Sequence, residues 1–197
     1  MRLLKTAAQA PYNWTISIVQ SSGMGKSRMV EEAGNSVFTI PLNLCEDMKQ
    51  GKKPYPPPDR NMRQFFLECQ GKTNLQQQIE YAVFLGVLFT RVSKLVKAQF
   101  PELTKEKLPC AWADYLKEGQ TVTEVGSNRR TLYDNIIQDV KDKIARKPQT
   151  LEDVKESLEK SCKGFLGLTL DHRTRQEDAC KIDYFRSWSQ GETGGLC

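Results

Sequence analysis

Ile16-Ser17-Ile18-Val19-Gln20-Ser21-Ser22-Gly23-Met24-Gly25-Lys26-Ser27 reads as a short β-branched strand that runs into a glycine-bearing loop ending in Gly-Lys-Ser. That is the layout of a nucleotide phosphate-binding loop. The full pattern G-x-x-x-x-G-K-[ST] asks for a glycine five residues before Gly25, and Gln20 stands there instead. A triphosphate is held by backbone N–H groups converging on one concavity, followed by the positive end of a helix. Backbone approaches phosphate closely only where side chains are absent. Gly23 and Gly25 meet that need and tolerate positive φ. Ser22, Met24 and Arg28 complete the cradle. Lys26 is placed to reach the β- and γ-phosphates of ATP, and the Ser27 hydroxyl to ligate Mg2+. The competing reading is a plain strand–turn–helix in which Gly-Met-Gly is only turn chemistry.

The surrounding pattern predicts an α/β fold, a P-loop-like parallel sheet start with few strands and a large helical insertion. Trp14 to Gln20 is predicted as strand one and Lys26 to Gly34 as a helix, with Gly34 or Asn35 as its stop. Met29 and Val30 are available to pack against the sheet. Val37 to Leu44 is predicted as strand two, with Pro41 marking an edge or an early end to pairing. A β-loop-α-β start implies a right-handed crossover. Residues 1–50 form this core in a nucleotide-binding domain of residues 1–170, residues 59–170 are mainly helical, and 171–197 read as a degenerate strand and an unstructured tail.

Between the two parts lies Lys53-Pro54-Tyr55-Pro56-Pro57-Pro58, an extended polyproline segment. It reads as a stiff connector, or alternatively as a ligand for an SH3- or WW-type module. Asp59 is placed to cap a helix through Leu67. Asn74 is placed to cap a long helix, Leu75 to Gln99, apolar nearly all round at its centre and so a core helix. Further helices are predicted at Cys110–Glu118, Arg129–Arg146 and Leu151–Phe165, with stops at Pro101, Gly119 and Pro148.

Composition bounds the function classes. The chain has 197 residues, 39% hydrophobic and 27% charged, which suits one globular domain or slightly more. Its formal net charge is +5, and the basic residues are spread along helices, so nucleic acid is not supported as a partner. A protein partner through the helical part remains open. Six cysteines, none closer than 17 positions to the next, give no C-x-x-C pair, and His172 is the sole histidine. These thiols, with no secretory signal, predict a reducing cytoplasmic or nuclear setting. Asn13-Trp14-Thr15 matches a glycosylation acceptor by chance. The apolar run Tyr81 to Phe89 is too short to span a bilayer and is followed by Arg91 and Lys94, so no membrane is expected.

Hydrolysis needs a carboxylate at the end of an apolar strand to hold Mg2+ through water. Phe165-Leu166-Gly167-Leu168-Thr169-Leu170-Asp171 offers Asp171, unless it is simply the end of the preceding helix; Ile182-Asp183-Tyr184-Phe185 is the other candidate. Neither has an Asp-Glu pair, and Asn-Lys-x-Asp, the guanine-reading pattern, is absent. The expectation is therefore binding of ATP, or another nucleoside triphosphate, with Mg2+ and with hydrolysis in doubt. Two rivals stand beside it. One is a phosphotransferase in which Arg129 and Arg130 clamp phosphate. The other is a non-enzymatic remnant whose helices mediate protein contacts.

Val19 to Val30, Val37 to Leu44 and Tyr55-Pro56-Pro57-Pro58-Asp59 together resemble a group of fungal P-loop proteins that look like the ATPase modules of Crinkler-type and retrotransposon-hot-spot-type proteins. The likeness extends loosely to Trp112-Ala113-Asp114-Tyr115-Leu116 and Gly126-Ser127-Asn128-Arg129 and covers roughly residues 10–170. It implies an AAA-like or STAND-like ATPase joined to an effector domain. It also implies a strand ending in Asp-Glu-Ala-His. The matching place here resembles Ile182 to Arg186, with Arg186 where the metal-binding aspartate belongs, so the resemblance implies a truncated chain that has lost its Walker B strand.

Overall fold

The structure, a computed structural model, describes residues 25–46, 55–146 and 150–169. The described residues form six helices: α1 (Lys26–Gly34), α2 (Arg60–Gln70), α3 (Asn74–Gln99), α4 (Leu108–Lys117), α5 (Ser127–Arg146) and α6 (Leu151–Thr169). Among the described residues there is no strand. This overturns the α/β expectation of a parallel sheet. Strand one, Trp14 to Gln20, lies outside the described residues, as do Ile182 to Phe185 and the predicted tail.

The reason for the misreading is visible at Val37 to Leu44. The segment has no regular secondary structure; Phe38 and Ile40 pack onto the core while Leu42 and Leu44 are exposed. Its hydrogen-bonding partners, however, are not another strand. The carbonyls of Thr39, Pro41 and Asn43 accept from the Trp112 indole, the Tyr133 hydroxyl and the Asp59 backbone N–H. Alternation reports a chain laid against an apolar surface, and a helical surface serves as well as a sheet.

α3 is the central helix, packed against α6, α5 and α2. Val83, Phe84, Val87, Leu88, Val92 and Val96 are buried along it, as its nearly all-round apolar centre requires. Thr73 rather than Asn74 caps it. The Thr73 hydroxyl accepts from the Gln76 N–H at 3.3 Å and the Gln76 amide oxygen accepts from the Thr73 N–H at 3.2 Å, a reciprocal capping box. Thr150 and Asp153 cap α6 in the same way. Met62 and Phe65 of α2, Trp112 and Leu116 of α4, Ile136 and Val140 of α5, and Val154 of α6 close the core around α3. The stretch Phe165 to Thr169 belongs to α6, so the apolar strand expected to carry Asp171 is helix up to Thr169; Asp171 itself lies outside the described residues.

Tyr55 is exposed, while Pro57 and Pro58 are buried. The carbonyls of Pro56 and Pro57 accept from the Asn43 side-chain amide at 2.7 and 3.1 Å. The proline run is a connector pinned into the fold and does not present the exposed face that an SH3 or WW groove takes.

Candidate functional site

Gly25 precedes α1 with φ 79° and ψ 19°, the left-handed region. A side chain is strained there, although a Cβ at this position would meet nothing within 4 Å. The requirement for glycine is therefore one of backbone conformation. The Gly25 carbonyl accepts the first helical bond, from the Met29 N–H, at 2.9 Å. Among the described residues no side chain caps this helix start, and its first turn holds no carboxylate. The Lys26-Ser27-Arg28 turn thus combines backbone donors that no described group accepts from, the positive helix end and a basic sequence. Arg28 is exposed. Ser22, Gly23, Met24 and Asp171 fall outside the described residues, so of the predicted site Gly25, Lys26, Ser27 and Arg28 are brought together at the beginning of α1.

Two features tie α1 to the bundle. Its residues touch α4, and its C-terminal end passes at once into the strap of residues 37–44. There Phe38 stacks on Trp112, with ring centroids 5.3 Å apart, and meets Phe165 of α6 edge-on at 5.7 Å. Trp112 Nε1 donates to the Thr39 carbonyl at 2.9 Å.

The strap ends on a buried polar knot that the sequence reading missed. Asp59 was expected to cap α2. It occupies the N-cap position but gives no side-chain cap bond. Its carboxylate instead accepts a two-pronged bond from Arg129, Nε to Oδ1 at 2.9 Å and a terminal nitrogen to Oδ2 at 2.6 Å. Oδ2 also accepts from the Asn43 backbone N–H at 2.7 Å. The Asp59 and Arg129 side chains are only 2% and 12% exposed. Tyr133, under the Arg129 guanidinium, donates to the Pro41 carbonyl, and burial holds its hydroxyl well above the usual tyrosine range. Asn43, Asp59 and Arg129 each fall in one of the quoted motifs, but nothing in their spacing says that they meet.

Arg129 and Arg130 were candidates for a phosphate clamp. Arg129 is held by Asp59, and Arg130 pairs with Glu124 at the surface. Both are engaged by carboxylates rather than gathered near α1. The two looser motifs do converge. Asn128 donates to the Tyr115 carbonyl at 3.1 Å, and the Ser127 N–H donates to the Glu118 carbonyl at 2.8 Å. A Cβ on Gly126 would lie 2.1 Å from the Leu116 carbonyl oxygen, so only glycine lets α4 and α5 approach this closely.

Among the described residues there is no group of three or more His, Cys, Asp or Glu side chains able to hold a metal. No helix of the described residues is long and apolar enough to cross a membrane. No protein-family model matches the chain, and neither does any curated protein or solved structure. The fungal P-loop resemblance accordingly rests on the quoted motifs alone.

Proposed function

We propose that the segment Ser22-Gly23-Met24-Gly25-Lys26-Ser27-Arg28 binds the phosphates of ATP, or of another nucleoside triphosphate, together with Mg2+, and that the chain holds the nucleotide without turning it over. The observation that carries this reading is the start of α1. A glycine in the left-handed region is followed directly by a carboxylate-free and basic helical turn at Gly-Lys-Ser that no described side chain caps. Its N–H groups and the helix dipole favour an anion there. Lys26 supplies the charge that meets the β- and γ-phosphates and Ser27 the oxygen for Mg2+. The reading concerns the loop and the helix start and does not depend on a sheet.

Binding without turnover follows from the carboxylates. No Asp-Glu pair ends an apolar strand in the sequence, and the stretch leading to Asp171 is helical as far as Thr169. A phosphotransferase loses its support because Arg129 and Arg130 are both engaged elsewhere. Equilibrium dialysis against ATP and Mg2+, with the nucleotide identified afterwards, tests the reading: retained nucleotide recovered as ATP is expected. Steady release of ADP contradicts the absence of turnover, and no retention by folded protein contradicts binding.

A second reading has one observation in its favour. Met29, Val30 and Val37 are 45%, 49% and 63% exposed around α1. An apolar strip of this kind suits a protein contact. If the chain acts only through such contacts, Lys26→Ala leaves every binding activity unchanged.

A further inference from the structure

A second polar cavity of about 280 Å³ lies between α3, α5 and α6, away from the start of α1. Arg91 and Lys94 of α3, Asp139 and Lys143 of α5, and Ser157 and Ser161 of α6 line it. Its charges do not balance. Arg91 is paired with Asp139, and the Arg91 hydrogen bond holds that carboxyl below the usual aspartate range. Lys94 and Lys143 make no ion pair among the described residues. Lys143 is half-buried, and its ammonium donates to a neutral group, the Ser157 hydroxyl, at 3.2 Å. Lys94 is exposed at the cavity, and an anion there would give both ammonium groups a counter-charge.

The hydrogen-bond inventory has the same sense. The Ser157 hydroxyl accepts from Lys143, and its own proton has no acceptor among the described residues. Thr90 and Ser161 face each other at 3.1 Å on the cavity wall, and each donates its proton to a carbonyl one helical turn back. Apart from the neutralised Asp139, the charged side chains here are cations. Two cations without an ion pair and the Ser157 hydroxyl donor match a phosphate group, which carries about −1.5 to −2 at neutral pH; a carboxylate would leave one positive charge over.

We propose that this α3/α5/α6 cavity is a phosphate-binding site, independent of the nucleotide reading at α1, and that Lys94, Lys143 and Ser157 hold the phosphoryl oxygens. The probes are inorganic phosphate and glycerol 3-phosphate, titrated into the full chain while backbone amide NMR shifts are followed at constant ionic strength. Saturating shifts centred on Thr90, Lys94, Lys143, Ser157 and Ser161 are expected, and the tighter of the two probes tells free phosphate from an ester. Lys94→Gln and Lys143→Gln each weaken binding about tenfold or more, the loss of one charge-assisted bond. Lys94 makes no ion pair among the described residues, so its substitution is expected to leave the thermal unfolding midpoint unchanged. In Lys26→Ala the cavity response persists. Shifts that sodium chloride reproduces, equal affinity in the Gln variants, or loss of the response in Lys26→Ala would overturn the proposal.

Discussion

Asp59 serves three donors with one carboxylate, and it is Arg129 that makes its burial tolerable. Removing the guanidinium strands a charge that is almost wholly enclosed. Arg129→Ala therefore costs about 3–5 kcal/mol, measured as a fall in unfolding free energy in urea; a loss below about 1 kcal/mol would mean that the pair is solvated in solution. Gly126 makes a comparable demand through space rather than charge. Gly126→Ala drives a methyl into the Leu116 carbonyl oxygen, and the α4–α5 contact must open, at about 1–3 kcal/mol. Cys69 gives a pH-dependent test. Burial first, then its hydrogen bond to Glu80, push the thiol up to about 12. An unfolded thiol titrates near 8.5, so the buried one favours the fold fully below about 8.5, and that stability is lost as the pH climbs toward about 12. Site-resolved alkylation at mildly alkaline pH should leave Cys69 unmodified while the exposed Cys45 and Cys110 react; equal rates would contradict its burial. None of these three residues announced its role in the sequence. A buried ion pair 70 positions apart and a glycine set against another helix's carbonyl are made by tertiary approach, which spacing does not encode.

At the scale of elements the sequence was far more legible. The helix beginning at Lys26 ends at Gly34 as its glycine stop indicates, and α3, α4, α5 and α6 lie within four residues of their periodic apolar patterns. Caps and prolines are local chemistry, and local chemistry is what a sequence displays. The strap from Val37 to Leu44 is the counterexample. It is predicted as strand two, and the structure has no strand there. Its alternation and its β-branched residues say nothing of whether the donors opposite belong to a strand or to Trp112, Tyr133 and Asp59. Trp112→Phe isolates this point, because it keeps the ring beside Phe38 and removes the Nε1–H donor to Thr39. A loss of about 1–3 kcal/mol is expected for the stranded carbonyl, with faster proteolysis inside residues 35–46 than in α3. Unchanged proteolysis of the strap would show that its hold comes from packing alone. Gly25→Ala tests the other end of α1. With no neighbour for the new Cβ, the whole effect is the left-handed backbone, about 1–2 kcal/mol, read as faster amide exchange at Met29, whose N–H bonds to the Gly25 carbonyl.

For the molecule as a whole, the helical core, the strap and the start of α1 form a chain of dependence. The core fixes Trp112, Tyr133 and Asp59, these fix the strap, and the strap carries the C-terminal end of α1. The glycine and basic turn at the other end of α1 are thus presented by packing rather than by propensity alone, which a nine-residue helix would not sustain in isolation. Of the candidate site, Gly-Met-Gly-Lys-Ser is a local signal that a sequence displays as it displays helices, whereas the acidic partner it would need for turnover is not local and finds no support among the described residues. The account stands most directly on calorimetric titration of ATP with Mg2+ into the folded chain and into Lys26→Ala, with matched circular dichroism for both. Saturable binding to the first is expected. Affinity in Lys26→Ala should be weaker by about 1.5–3 kcal/mol, roughly ten- to a hundredfold. Equal affinity in the two proteins, or no heat of binding from the folded wild-type chain, would contradict it.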